Sequence, residues 1–264
     1  VFNFLLNLKE QVMAYCELHY FSAALGKQTT ANVLLPQSDV PGPFPVLYLL
    51  HGLSDDYTAW MRNTSIARYV SRLPLIVVMP DGGRGFYCDA EQGFAYETAI
   101  TQDLVNYIDK MLPTIANRDG RVLAGLSMGG YGALKLALSH PDKFCATVSH
   151  SGAPDFAHVW PDPNHDEFGR IIGDDSVGGP NDLYALAERF KSGELGPWPH
   201  LRMDCGIDDF LLEMNRSFHA HLKELELPHE YEEFTGAHEW GYWDEHIKET
   251  LAFHAKVLGI EEAQ

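Results

Sequence analysis

The sequence is poor in cysteine, in basic residues and in long apolar runs, and each shortage excludes something. Its four cysteines, Cys16, Cys88, Cys145 and Cys205, stand far apart with no Cys-x-x-Cys pair. Neither a disulfide framework nor a zinc knuckle is expected, and the thiols suit a reducing, cytoplasmic setting. Lys and Arg number 19 against 37 Asp and Glu, a formal charge of −18. So acidic a surface repels phosphate backbones and anionic headgroups, which argues against nucleic acid and membrane partners. No apolar run approaches the ~20 residues that a membrane helix needs. The apolar patch Phe4-Leu5-Leu6 has neither a basic flank nor a small-residue cleavage site, so it does not read as a signal peptide. Residues 1–12 read as an upstream or appended extension, and Met13, just before a strand-like stretch, can serve as a natural start.

What is present suits an α/β domain. With 45% hydrophobic and 12% aromatic residues the chain can bury a sizeable core. Residues 15–21 and 29–35 read as an early pair of strands. Apolar runs at 46–50, 75–79, 121–126 and 144–149 follow, and periodic helical segments are expected at 58–70, 98–112 and 131–139. The alternation resumes with a strand at 201–205, a helix at 210–226, a strand at 230–234 and a last helix at 242–258. Strands alternating with helices imply a mostly parallel central sheet with helices on both faces. Between 154 and 199 the pattern breaks; six of the chain's 15 prolines fall there. This stretch reads as an irregular insertion holding one short helix near 182–190. Residues 13–264 are therefore expected to form one domain with an insertion at about 154–199.

Gly125-Leu126-Ser127-Met128-Gly129 fits Gly-x-Ser-x-Gly and lies between an apolar strand and a helix, the context in which that pattern carries a nucleophile. A serine on so tight a turn needs small neighbours, and the next helix offers a backbone N–H, that of Met128, to a developing oxyanion. No Gly-Lys-Ser/Thr follows, so a phosphate-binding loop is not indicated. A serine hydroxyl needs a base. Of the 13 histidines, His238 lies in Gly236-Ala237-His238-Glu239-Trp240, directly after a strand and downstream of Ser127. The acid is expected in the loop after the preceding strand, where Asp208 and Asp209 both qualify. After the strand 46–50, His51-Gly52-Leu53 forms a turn whose Leu53 N–H can supply the second oxyanion donor, with His51 ordering the loop. Metal-ligand spacing such as His-Glu-x-x-His is missing around His238, and His165-Asp166-Glu167 and His219-Ala220-His221 are suggestive only in isolation. No metal or cofactor is expected.

Taken together, Leu49–Asp56, Trp60 with Thr64, Pro80–Asp89, Gly125–Gly132, Ser149–Gly152, Cys205–Leu211 and Gly236–Trp243 resemble the esterase D family of α/β-hydrolases, which includes S-formylglutathione hydrolases and bacterial tributyrin esterases. The opening Ser22–Gly26 and Asn32–Pro36 resemble that family's first hairpin. The resemblance runs from about Met13 to the end and implies the α/β-hydrolase fold. It places the acid at Asp209, just before the Phe of Asp-Phe-Leu, and the base at His238. It implies carboxylesterase activity on small acyl groups without a cofactor, with the tributyrin-esterase branch the closer one.

The reading is thus a serine carboxylesterase with Ser127, His238 and Asp209 as triad and Leu53 and Met128 as oxyanion donors. The alternatives are a thioesterase acting on S-formylglutathione, an acyltransferase of the same fold, and a binding protein that has kept the fold without its chemistry. The expected partner is a small-molecule acyl ester, with a homo-oligomer left open. Phe156, Trp160, Phe168 and Trp198 in the insertion, with Trp60, either pack the insertion down or roof a small acyl pocket. Trp60 and Trp160 are the substrate-contact candidates.

Overall fold

The computed structural model describes residues 13–37, 41–159, 167–173 and 176–261. Eight strands make one sheet: β1 (Met13–Ser22), β2 (Lys27–Pro36), β3 (Val46–Leu50), β4 (Ile76–Pro80), β5 (Arg121–Leu126), β6 (Ala146–His150), β7 (His200–Gly206) and β8 (Glu230–Phe234). Their order is β1-β2-β4-β3-β5-β6-β7-β8. The hairpin β1–β2 is antiparallel and joins β4 antiparallel; every other pair is parallel. This is the α/β-hydrolase type of sheet. Residues 1–12 lie outside the described residues.

The central strands β3 to β6 are buried at every position, as expected of parallel strands covered on both faces. Alternation divides their side chains between two cores. Val46, Tyr48 and Leu50 point into one together with Tyr131, Leu134 and Leu138 of α5 (Met128–Ser139) and Phe218 of α9 (Leu212–Glu224). Leu47 and Leu49 point into the other with Trp60 of α1 (Ala59–Asn63), Ile66 of α2 (Ile66–Tyr69) and Trp243 and Ile247 of α10 (Trp240–Leu258). The helix expected over 58–70 is two short helices. It breaks because Asp244 of α10 accepts the Ser65 N–H at 2.7 Å, while Thr64, in extended backbone, turns its hydroxyl back to the Trp60 carbonyl at 2.5 Å. The helix expected at 98–112 begins two residues earlier, as α3 (Tyr96–Thr98), and continues through a π-helical turn at Ala99–Leu104 into α4 (Val105–Met111).

The insertion is less irregular than its prolines suggest. In place of one short helix it holds α6 (Phe156–Val159), α7 (Glu167–Ile172) and α8 (Leu183–Lys191). Tertiary packing maintains the first two, which are too short to persist alone. Phe156 is fully buried and stacks on Phe86 with ring centres 3.8 Å apart, and Phe168 meets Phe86 edge-on at 5.1 Å. Trp198 packs on Phe190 and donates to the Pro228 carbonyl at 2.7 Å. These three aromatics hold the insertion onto the body.

His254 of α10 shows how this packing responds to acid. It is fully buried and its Nε2–H donates to the Leu123 carbonyl of β5 at 3.1 Å. Burial holds its pKa down to about 3, against the upward pull of that hydrogen bond. In the unfolded chain a histidine takes up a proton below about 6.5. Between these values the unfolded state binds a proton that the folded state refuses. This contribution to stability is therefore intact above pH 6.5 and is lost as pH falls towards 3, by up to about 1.4 kcal/mol per pH unit. Urea midpoints at pH 7, 6, 5 and 4 should fall less steeply in His254→Gln than in the parent. Parallel profiles would place the acid sensitivity elsewhere.

Candidate active site

The C-terminal ends of the parallel strands share one edge of the sheet, and the loops leaving β3, β5, β6, β7 and β8 meet there. Ser127 is the single residue between β5 and α5. Its φ of 53° and ψ of −116° are strained for a side chain with a Cβ. The turn closes only because its flanks are glycine: a Cβ on Gly125 would stand 2.2 Å from the Gly129 carbonyl oxygen, and one on Gly129 would stand 2.5 Å from that of Leu50. The Ser127 N–H donates to the His150 carbonyl at the end of β6 at 2.9 Å, which fixes the turn against the next strand.

His238 lies in the loop after β8. Its Nε2 accepts the Ser127 hydroxyl at 3.0 Å, and its Nδ1–H donates to Asp209 at 2.9 and 3.1 Å. The three residues singled out from the sequence as nucleophile, base and acid are thus joined in one chain of hydrogen bonds. Of the two adjacent aspartates, Asp208 is exposed, whereas Asp209 is buried against the histidine. Burial raises the Asp209 carboxyl. Hydrogen bonds from His238, the Leu211 N–H (2.8 Å) and the Ser151 hydroxyl outweigh it and hold the group below the usual carboxylate range. The acid therefore stays ionised wherever the histidine needs its tautomer fixed.

The loop after β3 lies against Ser127: a Cβ on Gly52 would stand 3.7 Å from Ser127 Cβ and 2.6 Å from Leu126 Cδ1. Leu53 follows directly in this loop. His51, buried, holds it from beneath. Gly82 N–H donates to His51 Nε2 at 2.9 Å, so Nδ1 carries the proton and donates to the Gly52 carbonyl at 2.8 Å. The Tyr87 hydroxyl donates to the His51 carbonyl at 3.0 Å. Met128 opens α5, so its N–H has no carbonyl one turn back within the helix.

Trp60 is not a pocket wall. It is 1% exposed, its indole N–H donates to the Leu50 carbonyl at 3.0 Å, and it meets Trp240 edge-on in the core beneath the loop after β3. An indole N–H seeks a buried acceptor, and the end of β3 supplies one. Trp160 lies outside the described residues.

Two groups near the site were not singled out from the sequence. Ser151, fully buried with φ of 47°, accepts the Trp243 indole N–H at 3.5 Å and helps to hold the Asp209 pKa down. Beneath it lies a second, wholly buried His–Asp pair. Asp204 of β7 accepts from His150 Nδ1 and from the Tyr242 hydroxyl, both at 2.8 Å, and His150 Nε2 meets the Thr250 hydroxyl at 2.6 Å. The available signal was the run Ser149-His150-Ser151, polar at the end of an otherwise apolar strand.

Comparison with known proteins agrees with this geometry. The "Esterase" family model matches residues 22–254, nearly the whole chain. The chain belongs to this esterase family. Similar to this esterase is an acetyl esterase of Caldicellulosiruptor saccharolyticus, 30% identical over 93% of this chain and 99% of the relative. Among solved structures, FphF, a fluorophosphonate-binding serine hydrolase of Staphylococcus aureus, superposes with a TM-score of 0.84 at 32% identity, covering 92% of this chain and 98% of FphF. S-formylglutathione hydrolase FrmB of the same organism gives 0.82 at 32% identity, over 92% and 98%. The esterase D-like resemblance read from the motifs is borne out, and the protein is a carboxylic ester hydrolase of the serine type. Among the described residues of this esterase no helix is long and apolar enough to cross a membrane.

Proposed function

We propose that this esterase hydrolyses short-chain acyl esters through a Ser127–His238–Asp209 triad. The observation that carries the reading is the unbroken chain Ser127 Oγ to His238 Nε2 at 3.0 Å and His238 Nδ1 to Asp209 at 2.9 Å. Ser127 Oγ attacks the ester carbonyl as its proton passes to His238 Nε2. The carbonyl oxygen, now an oxyanion, is held by the N–H groups of Leu53 and Met128. His238 hands its proton to the leaving alcohol, and water then releases the acyl group from Ser127 by the same route. Asp209 keeps the Nδ1 proton in place and stabilises the imidazolium without itself taking the proton. The substrate is a small-molecule acyl ester, and the similarity to a Caldicellulosiruptor relative named acetyl esterase supports a short acyl chain.

The similarity to FrmB favours one further reading, that the same residues act on the thioester S-formylglutathione. A thiolate leaves through the same tetrahedral intermediate, so the triad serves either substrate.

One series of assays tests both. On p-nitrophenyl esters of fixed leaving group, kcat/KM is expected to peak between acetate and butyrate and to fall steeply by octanoate. Each methylene that finds a pocket contributes about 0.8 kcal/mol, and each that finds none contributes nothing. A peak at octanoate or beyond would reject the short-acyl preference. A kcat/KM for S-formylglutathione far above that for every simple ester would move the assignment to the thioesterase.

A further inference from the structure

Phe210 is the most exposed large apolar side chain among the described residues, at 75%. The chain turns Asp209 inward and buries Leu211, which leaves the side chain between them pointing out. Its ring is not idle there: it lies 4.6 Å from the His238 imidazole, tilted by 51°. The imidazole's other aromatic neighbour, Trp243, is buried and meets it perpendicularly at 4.9 Å. The base is therefore held between an indole in the core and a phenyl ring in solvent. The same loop exposes Ile207 at its start.

The chemistry of the base says what passes this ring. To protonate the leaving oxygen, His238 Nε2 must come within hydrogen-bond reach of it. The first carbons of the alcohol then lie beside the imidazole. The acyl carbon is bonded to Ser127 Oγ, with its oxygen towards Leu53 and Met128, so the acyl chain and the alcohol leave the reacting centre in different directions. We infer that Phe210 is a specificity-determining residue for the alcohol half of the ester: its solvent-facing ring, carried beside His238, packs against an apolar or aromatic alcohol. The inference rests on the triad reading above.

The reverse direction uses the same place. An alcohol attacking the acyl-enzyme gives its proton to His238 Nε2 as the new carbon–oxygen bond forms, and the proton returns to Ser127 Oγ as the bond from that oxygen to the acyl carbon breaks. Water, having no apolar body, gains nothing from Phe210. Hydrolysis of the common acyl-enzyme is therefore an internal control.

The experiment holds the acyl group at butyrate and varies the alcohol. Phe210→Ala is expected to lower kcat/KM for benzyl butyrate about 3- to 10-fold more than for methyl butyrate, the range of one aromatic contact. Phe210→Tyr should keep the parental ratio, and Phe210→Leu should fall between. The partition of the butyryl-enzyme between added benzyl alcohol and water should drop in Phe210→Ala by a similar factor. An equal loss on both esters with no change in partition would show that the ring only packs on the base, and would overturn the assignment. So would an altered acyl-length profile with an unaltered alcohol preference, which would put the ring on the acyl side. Failure of the triad reading shows separately: Ser127→Ala would retain hydrolysis, or no butyryl group would appear on Ser127, whatever the Phe210 variants do.

Discussion

Ser127→Ala is expected to lower kcat for ester hydrolysis by roughly 10⁴- to 10⁶-fold, with His238→Ala similar and Asp209→Asn nearer the lower figure. In the proposed mechanism the three act as a unit. Without the hydroxyl there is no acyl-enzyme, and without the imidazole the hydroxyl keeps its proton. Asparagine at 209 can present its amide N–H to His238 Nδ1, which favours the tautomer that cannot accept from Ser127. Asp208→Asn should leave kcat within a few-fold of the parent, since that side chain is exposed and its backbone N–H, which donates to the Gly236 carbonyl at 3.0 Å, is untouched. The four variants should keep a parental circular dichroism spectrum, so the loss reads as chemistry. Activity abolished by Asp208→Asn and spared by Asp209→Asn would reverse the assignment of the acid.

The largest effect on stability is expected at Asp204. Its carboxylate is fully buried, and its partners, His150 on β6 and Tyr242 on α10, are buried with it. The pair also stands in the structural path to the site. Leu126 pairs with His150 across β5 and β6, and His150 pairs with Asp204 across β6 and β7. The His150 carbonyl holds the Ser127 N–H, and the Asp204 carbonyl holds that of Ser151 at 2.8 Å. The Tyr242 ring leaves no room for a side chain on Gly236, at the start of the His238 loop. Removing the Asp204 carboxylate leaves His150 Nδ1 and the Tyr242 hydroxyl without their buried acceptor and costs about 3–5 kcal/mol. For a chain of this size that lowers Tm by roughly 10 °C. Asp204→Ala should show this in a thermal melt. The double variant Asp204→Leu with His150→Leu should recover part of it, because neither leucine carries a group that needs a partner and only the Tyr242 and Thr250 hydroxyls lose theirs. A single variant that melts within 2 °C of the parent would mean that the pair carries little of the stability.

Some elements could be read from the chain to the residue. The strands Val46–Leu50, Arg121–Leu126 and Glu230–Phe234 fall where expected, because each is a short run stopped by a turn, a glycine or a helix start. The turn at Ser127 was legible for a related reason: glycine, serine and glycine at that spacing fit a tight passage from strand to helix. That His238 would meet Ser127 was legible through its place after a strand and before a helix. The errors have a common cause, which is distance along the chain. The 58–70 helix divides on account of Asp244, about 180 residues away in sequence. The extra helices of the insertion are anchored to Phe86, whose own φ is 49°, and no local pattern announces that. Trp60 looked like a pocket residue from its place beyond the loop after β3, yet its indole donates to the Leu50 carbonyl at the end of that strand.

The sequence by itself determined the alternating sheet-and-helix architecture, the Gly-x-Ser-x-Gly turn and the chain order of the candidates Ser127, Asp209 and His238, because these depend on period, spacing and the steric demands of neighbours in the chain. Spacing left Asp208 and Asp209 both open and the family resemblance favoured Asp209; only the tertiary structure supplies the physical reason that Asp209 is the one to meet His238. Asp208 and Asp209 are chemically identical and adjacent, and the choice lies in the close approach of two loops, where a Cβ on Gly206 would stand 2.3 Å from the Gly236 carbonyl oxygen. That contact sets the turn after β7, which faces Asp209 to His238 and Asp208 to water. The buried His150–Asp204 pair and the exposed ring of Phe210 belong to the same class: burial and aim are properties of surroundings drawn from several strands, and a residue's letter does not carry them.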